Sequence, residues 1–231
     1  GDLRWINSID TSYMSKYELH TNETDSNWTD LINFINVINN TSIANLPTAL
    51  DTVFAVDNYI HTWAVHSLFS NLDSYLGSGH NYYIYHDSTD NKFKWISWDV
   101  NEAFGNFSMG MSTTQMENLS IFYISTPQTN RPLHNQMLQA PVYEQALVDA
   151  VCEYTLYDFS STAMDPVIDS LADLIRTDVY ADPNKFYSNT NFEDNLNSTV
   201  TVVGPPYGGN FCGLKSFVAN KRLAVTSELV S

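Results

Sequence analysis

The chain has 231 residues, 43% of them apolar, and sets 26 acidic residues against 10 basic ones for a formal net charge of −16. That is enough apolar material for one sizeable core, with room for a subdomain. The absence of any Lys/Arg cluster argues against a nucleic-acid groove or an anionic membrane surface as partner, and no apolar run approaches the length that spans a bilayer.

The opening GDLRWINS reads as neither a secretory leader nor a domain start, so the chain is expected to be a processed or excised piece of something longer. Residues 1–25 predict an extended lead-in with weak strand character, closing in a turn at TNETDSN. WTDLINFINVINNTS follows with Trp28, Leu31, Ile32, Phe34, Ile35 and Ile38 near helical spacing, and Asn27 or Thr29 as its cap. Over LPTALDTVFAVDNYIHTWAVHSLFSNLD, the residues Val53, Val56, Ile60, Trp63, Ala64, Ser67 and Leu68 predict one long buried stripe. That helix is capped by Asp51 or Thr52 and stops near Asn71.

NYYIYHD and KFKWISWDV are rich in β-branched and aromatic residues, and the turn DSTDN between them predicts a hairpin. The turn lacks the spacing of a calcium loop. Residues 106–130 are Met-rich and predict a loop. Helices are expected again over RPLHNQMLQAPVYEQALVDAVCEYTLYDF, over AMDPVIDSLADLIRTDVYAD and, after the Gly/Pro loop VGPPYGGNFCG, over LKSFVANKRLAVTSEL. The predicted class is α+β, mainly α, with a central β hairpin, in a single domain spanning residues 1–231.

Cys152 and Cys212 are the two cysteines, and Asn22, Asn27, Asn39, Asn40, Asn106, Asn118 and Asn197 head N-x-S/T sequons. A Cys152–Cys212 disulfide would pin the last helix and favours an oxidising compartment; two buried thiols are the alternative. With the sequons and the low Lys content, this predicts a secreted or cell-surface protein.

The densest stretch is NLDSYLGSGHNYYIYHDSTDNKFKWISWDVNEAFG. Asp73 follows an apolar helical run, Asn81 opens the hairpin, and Asp99 ends its second strand. A divalent cation holding a polyphosphate needs one or two carboxylates and often an amide oxygen, and phosphoryl transfer needs an Asp beside the attacking hydroxyl. Two helix-capping aspartates would produce the same spacing, and both readings are open at this point.

The stretch HNYYIYHDSTDNKFKWISWDVNEAFG resembles the signature of the CotH kinase family, in which N-x-D ends a helix, HNYY-x-Y follows, and W-D-x-D-x-x-F-G closes the hairpin. RPLHNQMLQAPVYEQAL and GLKSFVANKRLAVTSEL resemble that family's later helices, so the resemblance covers nearly the whole chain. It implies the carboxy-terminal lobe of an atypical protein-kinase fold, using ATP with Mg2+ or Mn2+ to phosphorylate secreted or coat proteins. By the same resemblance, Asp73 is the catalytic-loop Asp and Asp99 the metal ligand that also holds the nucleotide phosphates. Asn81 is a second ligand, and His80 a hydrogen-bonding loop residue. The second acid of W-D-x-D is Asn101 here, which keeps an oxygen for a cation but loses the charge. No amino-terminal nucleotide lobe is recognised, since Lys16 stands without a Gly-rich loop. The expected function is therefore a metal-dependent kinase in the intact protein. An inactive surface adhesin or a coat structural protein on the same fold is the rival, and a surface substrate or receptor is the expected partner.

Overall fold

In the computed structural model, residues 1–204 and 208–230 are described. Among them are nine α-helices and two antiparallel two-stranded sheets, an α+β fold that is mainly α, as expected. Contacts within the chain cluster into two compact units: Gly1–Trp63, Asp73–Val100 and Ile124–Val148 form the first, and Ala64–Leu72, Asn101–Tyr123 and Asp149–Ser231 the second.

In the first unit the lead-in is not strand-like. Tyrosine hydroxyls hold it: Tyr17 accepts from the Leu3 N–H at 2.8 Å, and fully buried Tyr13 accepts from Ile6 N–H at 3.1 Å while donating to the Asn7 carbonyl. Helix α1 (Thr29–Asn40) buries Ile32, Phe34, Ile35 and Ile38, as its spacing predicts. The Asn27 side chain accepts from the Thr29 N–H at 3.0 Å, although the residue at the cap position is Trp28.

A short α2 (Leu46–Asp51) comes next, and the helix expected to start after Asp51 or Thr52 begins later, at Val56 (α3, Val56–Leu68). The break between them is a turn at Thr52 and Val53 followed by Phe54 in a bridge. The break is explained by backbone pairing: Phe93 N–H donates to the Val53 carbonyl, Ala55 N–H donates to the Phe93 carbonyl, and Phe54 forms a parallel bridge with Phe93. That places the fully buried Phe54 ring 4.9 Å from Phe34, a contact that the helical spacing does not encode.

Strands β1 (Tyr82–Asp87) and β2 (Lys92–Ser97) form the expected hairpin, with Tyr82 opposite Ser97 and Asp87 opposite Lys92. Phe93 and Trp95 point to the buried side, while Tyr83, Tyr85 and Ile96 are exposed. The turn is an ordinary one, in which the Asp87 carboxylate accepts from Thr89 N–H and Asn91 takes φ +59°. Helix α5 (Pro132–Leu138) and the start of α6 (Pro141–Tyr157) complete this unit.

The second unit corrects the loop expected over residues 106–130. Helix α4 (Thr113–Glu117) has a complete capping box between Ser112 and Gln115, and it buries Met116 completely. Helix α7 (Ser161–Ala181) is capped by the Ser160 hydroxyl. A short α8 (Asn189–Asn195), capped through Ser188 and Asn191, was not expected. Nor was the small sheet of β3 (Val200–Val202), just ahead of the Gly/Pro loop, and β4 (Gly209–Phe211), inside it; residues 205–207 of that loop lie outside the described residues. Helix α9 (Leu214–Leu229) carries Phe217, Val218 and Val225 into the core.

The disulfide is not present: Cys152 and Cys212 are both free thiols. Buried Cys212 directs its sulfur toward the Thr113 carbonyl at 3.9 Å, and burial pushes its thiol pKa up to about 11. The oxidising compartment therefore loses its cysteine argument. The sequons also differ from one another. The Asn39 amide donates to the Leu3 and Ile35 carbonyls, whereas Asn22, Asn27 and Asn197 are exposed with amide nitrogens that bond nothing among the described residues.

Polar clamps take over the task of anchoring α9. The fully buried Lys221 ammonium donates to the Leu119 carbonyl, and the Glu228 carboxylate accepts from the Ser120 hydroxyl and, at 3.0 Å, from Ile121 N–H. Burial lowers the Lys221 pKa from 10.5 to about 7, against the opposing pull of Glu228. Between those values the unfolded chain holds a proton that the folded protein does not. Stability from this group is therefore complete above the unfolded value and is lost as pH falls toward 7. The expected result is an unfolding free energy that rises from pH 7 to 10 by at most about 1.4 kcal/mol per pH unit in urea titrations, with the slope flattened in Lys221→Met. Equal slopes in the two proteins would contradict the assignment.

Candidate active site

Helix α3 ends at Leu68, so Asp73 lies beyond it and caps none of its backbone. All recorded partners of its carboxylate are side chains from the loop ahead. Oδ2 accepts from Asn81 Nδ2 at 2.9 Å, and Oδ1 accepts from the Ser78 hydroxyl at 3.2 Å with His80 Nδ1 at 3.5 Å. The Asp73 side chain is only 16% exposed, whereas His80 is 60% exposed. The helix-cap reading of Asp73 has no support in this geometry.

Asn81 decides what the arrangement can do. Its Nδ2 also donates to the main-chain carbonyl of Asp73, at 2.9 Å. Both acceptors are oxygens that carry no hydrogen, so a flipped amide would set oxygen against oxygen; the orientation is determined by its surroundings. Both amide hydrogens are thus committed to Asp73, and Oδ1 is left without a partner among the described residues. Asn81 takes φ +58°, a conformation that Asn tolerates better than most residues.

The hairpin then brings Asp99 to the same end. Trp98 N–H donates to the Asn81 carbonyl at 3.0 Å, extending the ladder one pair beyond Tyr82 and Ser97. Asp99, with φ +49°, is exposed and its carboxylate bonds nothing among the described residues. Asn101 belongs to the second unit, exposed in a 3-10 turn (Val100–Glu102). In the same unit it lines a cavity of about 440 Å³ walled by Phe104, Phe192 and Leu214, a space that Asp73, Asn81 and Asp99 do not line. Several of that cavity's polar side chains are already spent: Asn195 donates to the Phe211 and Cys212 carbonyls, and Lys185 to the Asp182 carbonyl.

The donor set in the first unit suits a hard cation. It offers one free carboxylate at Asp99 and one outward amide oxygen at Asn81, which leaves room for waters and phosphate oxygens, as Mg2+ prefers. No group of three or more His, Cys, Asp or Glu that could form a closed all-protein cage occurs among the described residues.

An aromatic floor supports the loop. The Tyr75 hydroxyl accepts from Leu133 N–H and donates to the Asp2 carbonyl, and its ring meets Trp95, Tyr82 and His134 edge-on. Burial holds the hydroxyls of Tyr59 and Tyr75 well above their ordinary pKa, so both stay neutral donors. Sequence reasoning missed Ser78 and Arg131 as parts of this site. The signals were there: a serine between two glycines in LGSGH, and a single cation in the long interval from Lys94 to Arg176.

The family whose model matches this chain is described as CotH kinase protein, and the match covers residues 2–204. No curated protein matches the chain. No helix among the described residues is long and apolar enough to cross a membrane.

If Asn81 closes the loop on Asp73, Asn81→Ala should cost about 1–3 kcal/mol in urea unfolding, through two lost hydrogen bonds, one to the half-buried Asp73 carboxylate and one to its main-chain carbonyl. Asn81→Asp should cost more at pH 7, where two carboxylates face each other, and recover part of the loss in acid. Wild-type stability in both variants would remove the clamp from the site.

Proposed function

The chain belongs to the CotH kinase family, and on that premise we propose that it carries the acceptor-side and metal-binding groups of an enzyme moving a phosphoryl group from ATP to a hydroxyl on a secreted or coat protein. The observation that supports this most is the orientation of Asn81, which donates twice to Asp73 and turns its oxygen outward. Asp99 and Asn81 would hold Mg2+ or Mn2+. A divalent cation bound there would neutralise phosphate charge and align the transferred group.

The chain's own residues do the rest. Asp73 accepts a hydrogen bond from the acceptor hydroxyl and takes its proton as the hydroxyl oxygen bonds the γ-phosphorus of ATP and the bond from that phosphorus to the ADP oxygen breaks. Ser78 and Asn81 donate to the same carboxylate, limiting its rotation. Asn101, where the family resemblance puts an acid, carries no charge and is the feature that favours the rival reading, a catalytically silent surface or coat protein.

Two substitutions in the full-length protein separate these readings. Asp99→Ala should weaken calorimetric binding of ATP with Mn2+ by about tenfold or more, because the exposed carboxylate beside Asn81 is lost. Asp73→Asn should leave that binding within about threefold while lowering turnover at least a hundredfold. Unchanged nucleotide affinity in Asp99→Ala, or wild-type turnover in Asp73→Asn, would reject the assignment.

A further inference from the structure

Arg131 directly precedes α5 and is only 7% exposed. A buried guanidinium is costly unless its charge is paired, yet no carboxylate pairs with this one among the described residues. Its Nη1 donates to the Asn130 carbonyl at 2.6 Å, its Nη2 donates to the Gly77 carbonyl, and Nε is buried without a partner. The guanidinium carbon lies 5.7 Å from the centre of the Tyr75 ring. Gly79 takes φ +83°, and a Cβ added there would sit 2.7 Å from that same carbon. The cation is therefore fitted between Tyr75, the Gly77 carbonyl and the bare α-carbon of Gly79, all in the loop that separates Asp73 from Asn81.

Within that loop the Ser74 carbonyl takes the N–H of Gly77 at 3.2 Å and of Gly79 at 2.9 Å. Between the two glycines sits Ser78, whose hydroxyl reaches Asp73 Oδ1. Anything that holds both glycines thus aims Ser78 and sets where Asn81 begins.

We propose that Arg131 is a positioning residue for Asp73, acting through residues 77–79 to hold Ser78 and Asn81 against the carboxylate. Its consequence for turnover rests on the phosphoryl-transfer reading; its consequence for the loop does not. Lysine cannot replace it, because a single ammonium cannot lie flat on Gly79 while giving two divergent N–H groups to separate carbonyls. Methionine of similar volume should leave the global fold in place, since buried ions exchange for apolar groups at little cost.

The test uses full-length wild type, Arg131→Met and Arg131→Lys. Hydrogen exchange by NMR is followed at the Asn81 side-chain amide and, as internal control, at the Phe93 N–H that donates to Val53. In Arg131→Met, Asn81 exchange should accelerate about tenfold or more with Phe93 within about twofold, and Arg131→Lys should not restore it. Steady-state ATP hydrolysis, with water as acceptor, should show kcat falling about tenfold or more and KM for ATP within about threefold. Unchanged Asn81 exchange, parallel acceleration at Phe93, or full restoration by lysine would overturn the proposal. A wild-type protein that turns over no ATP would reject the phosphoryl-transfer reading instead, while the exchange comparison would still decide the role of Arg131.

Discussion

One amide group organises the first unit: Asn81 Nδ2 divides its two hydrogens between the carbonyl and the carboxylate of Asp73. A hydrogen bond to an ionised oxygen is worth about twice a neutral one, and here it closes a short loop rather than bridging flexible surface chains. Because the amide is saturated on that side, its oxygen has only one direction left. The loop, the hairpin start and the free Asp99 carboxylate follow from this placement, since the Asn81 carbonyl in turn accepts the Trp98 N–H. Moving Asn81 would displace the Asp73 carboxylate and the start of the hairpin together.

Around this clamp the protein uses buried polar groups where the sequence appeared to need a covalent tie. In the first unit Arg131 serves carbonyls and an aromatic face rather than an acid. In the second, Lys221 and Glu228 hold three consecutive residues, Leu119, Ser120 and Ile121, against α9. Each arrangement satisfies main-chain groups that a loop would otherwise bury unpaired. That explains how α9 is fixed while Cys152 and Cys212 remain thiols.

Elements whose pattern is local were legible in the sequence. Alternation in NYYIYHD and KFKWISWDV marks the hairpin because one face packs and the other does not. The spacing of Ile32, Ile35 and Ile38 likewise marks α1. The start of α3 at Val56 rather than just after Thr52 was not legible, because it depends on Phe93, a partner far along the chain, and apolar spacing alone runs on smoothly from Val53. Helix α4 and the β3–β4 sheet were hidden in Met-rich and Gly/Pro-rich segments, where capping by Ser112 and pairing of Val200 with Phe211 outweigh composition. Of the residues the motif points to, Asp73 and Asn81 are in direct contact. Ser78 and Arg131 act through a loop carbonyl and a carboxylate edge, contacts that no periodicity records.

The central claim is that the free oxygen of Asn81 and the carboxylate of Asp99 face a common cation. Paramagnetic broadening tests it most directly: substoichiometric Mn2+ is added with ATP to isotope-labelled full-length protein, and each amide resonance is followed. The account predicts that the Asn81 side-chain amide and the Asp99 backbone amide broaden first. Broadening centred instead on the exposed aspartates of α7, Asp169, Asp173 and Asp178, with Asn81 and Asp99 left sharp, would contradict it.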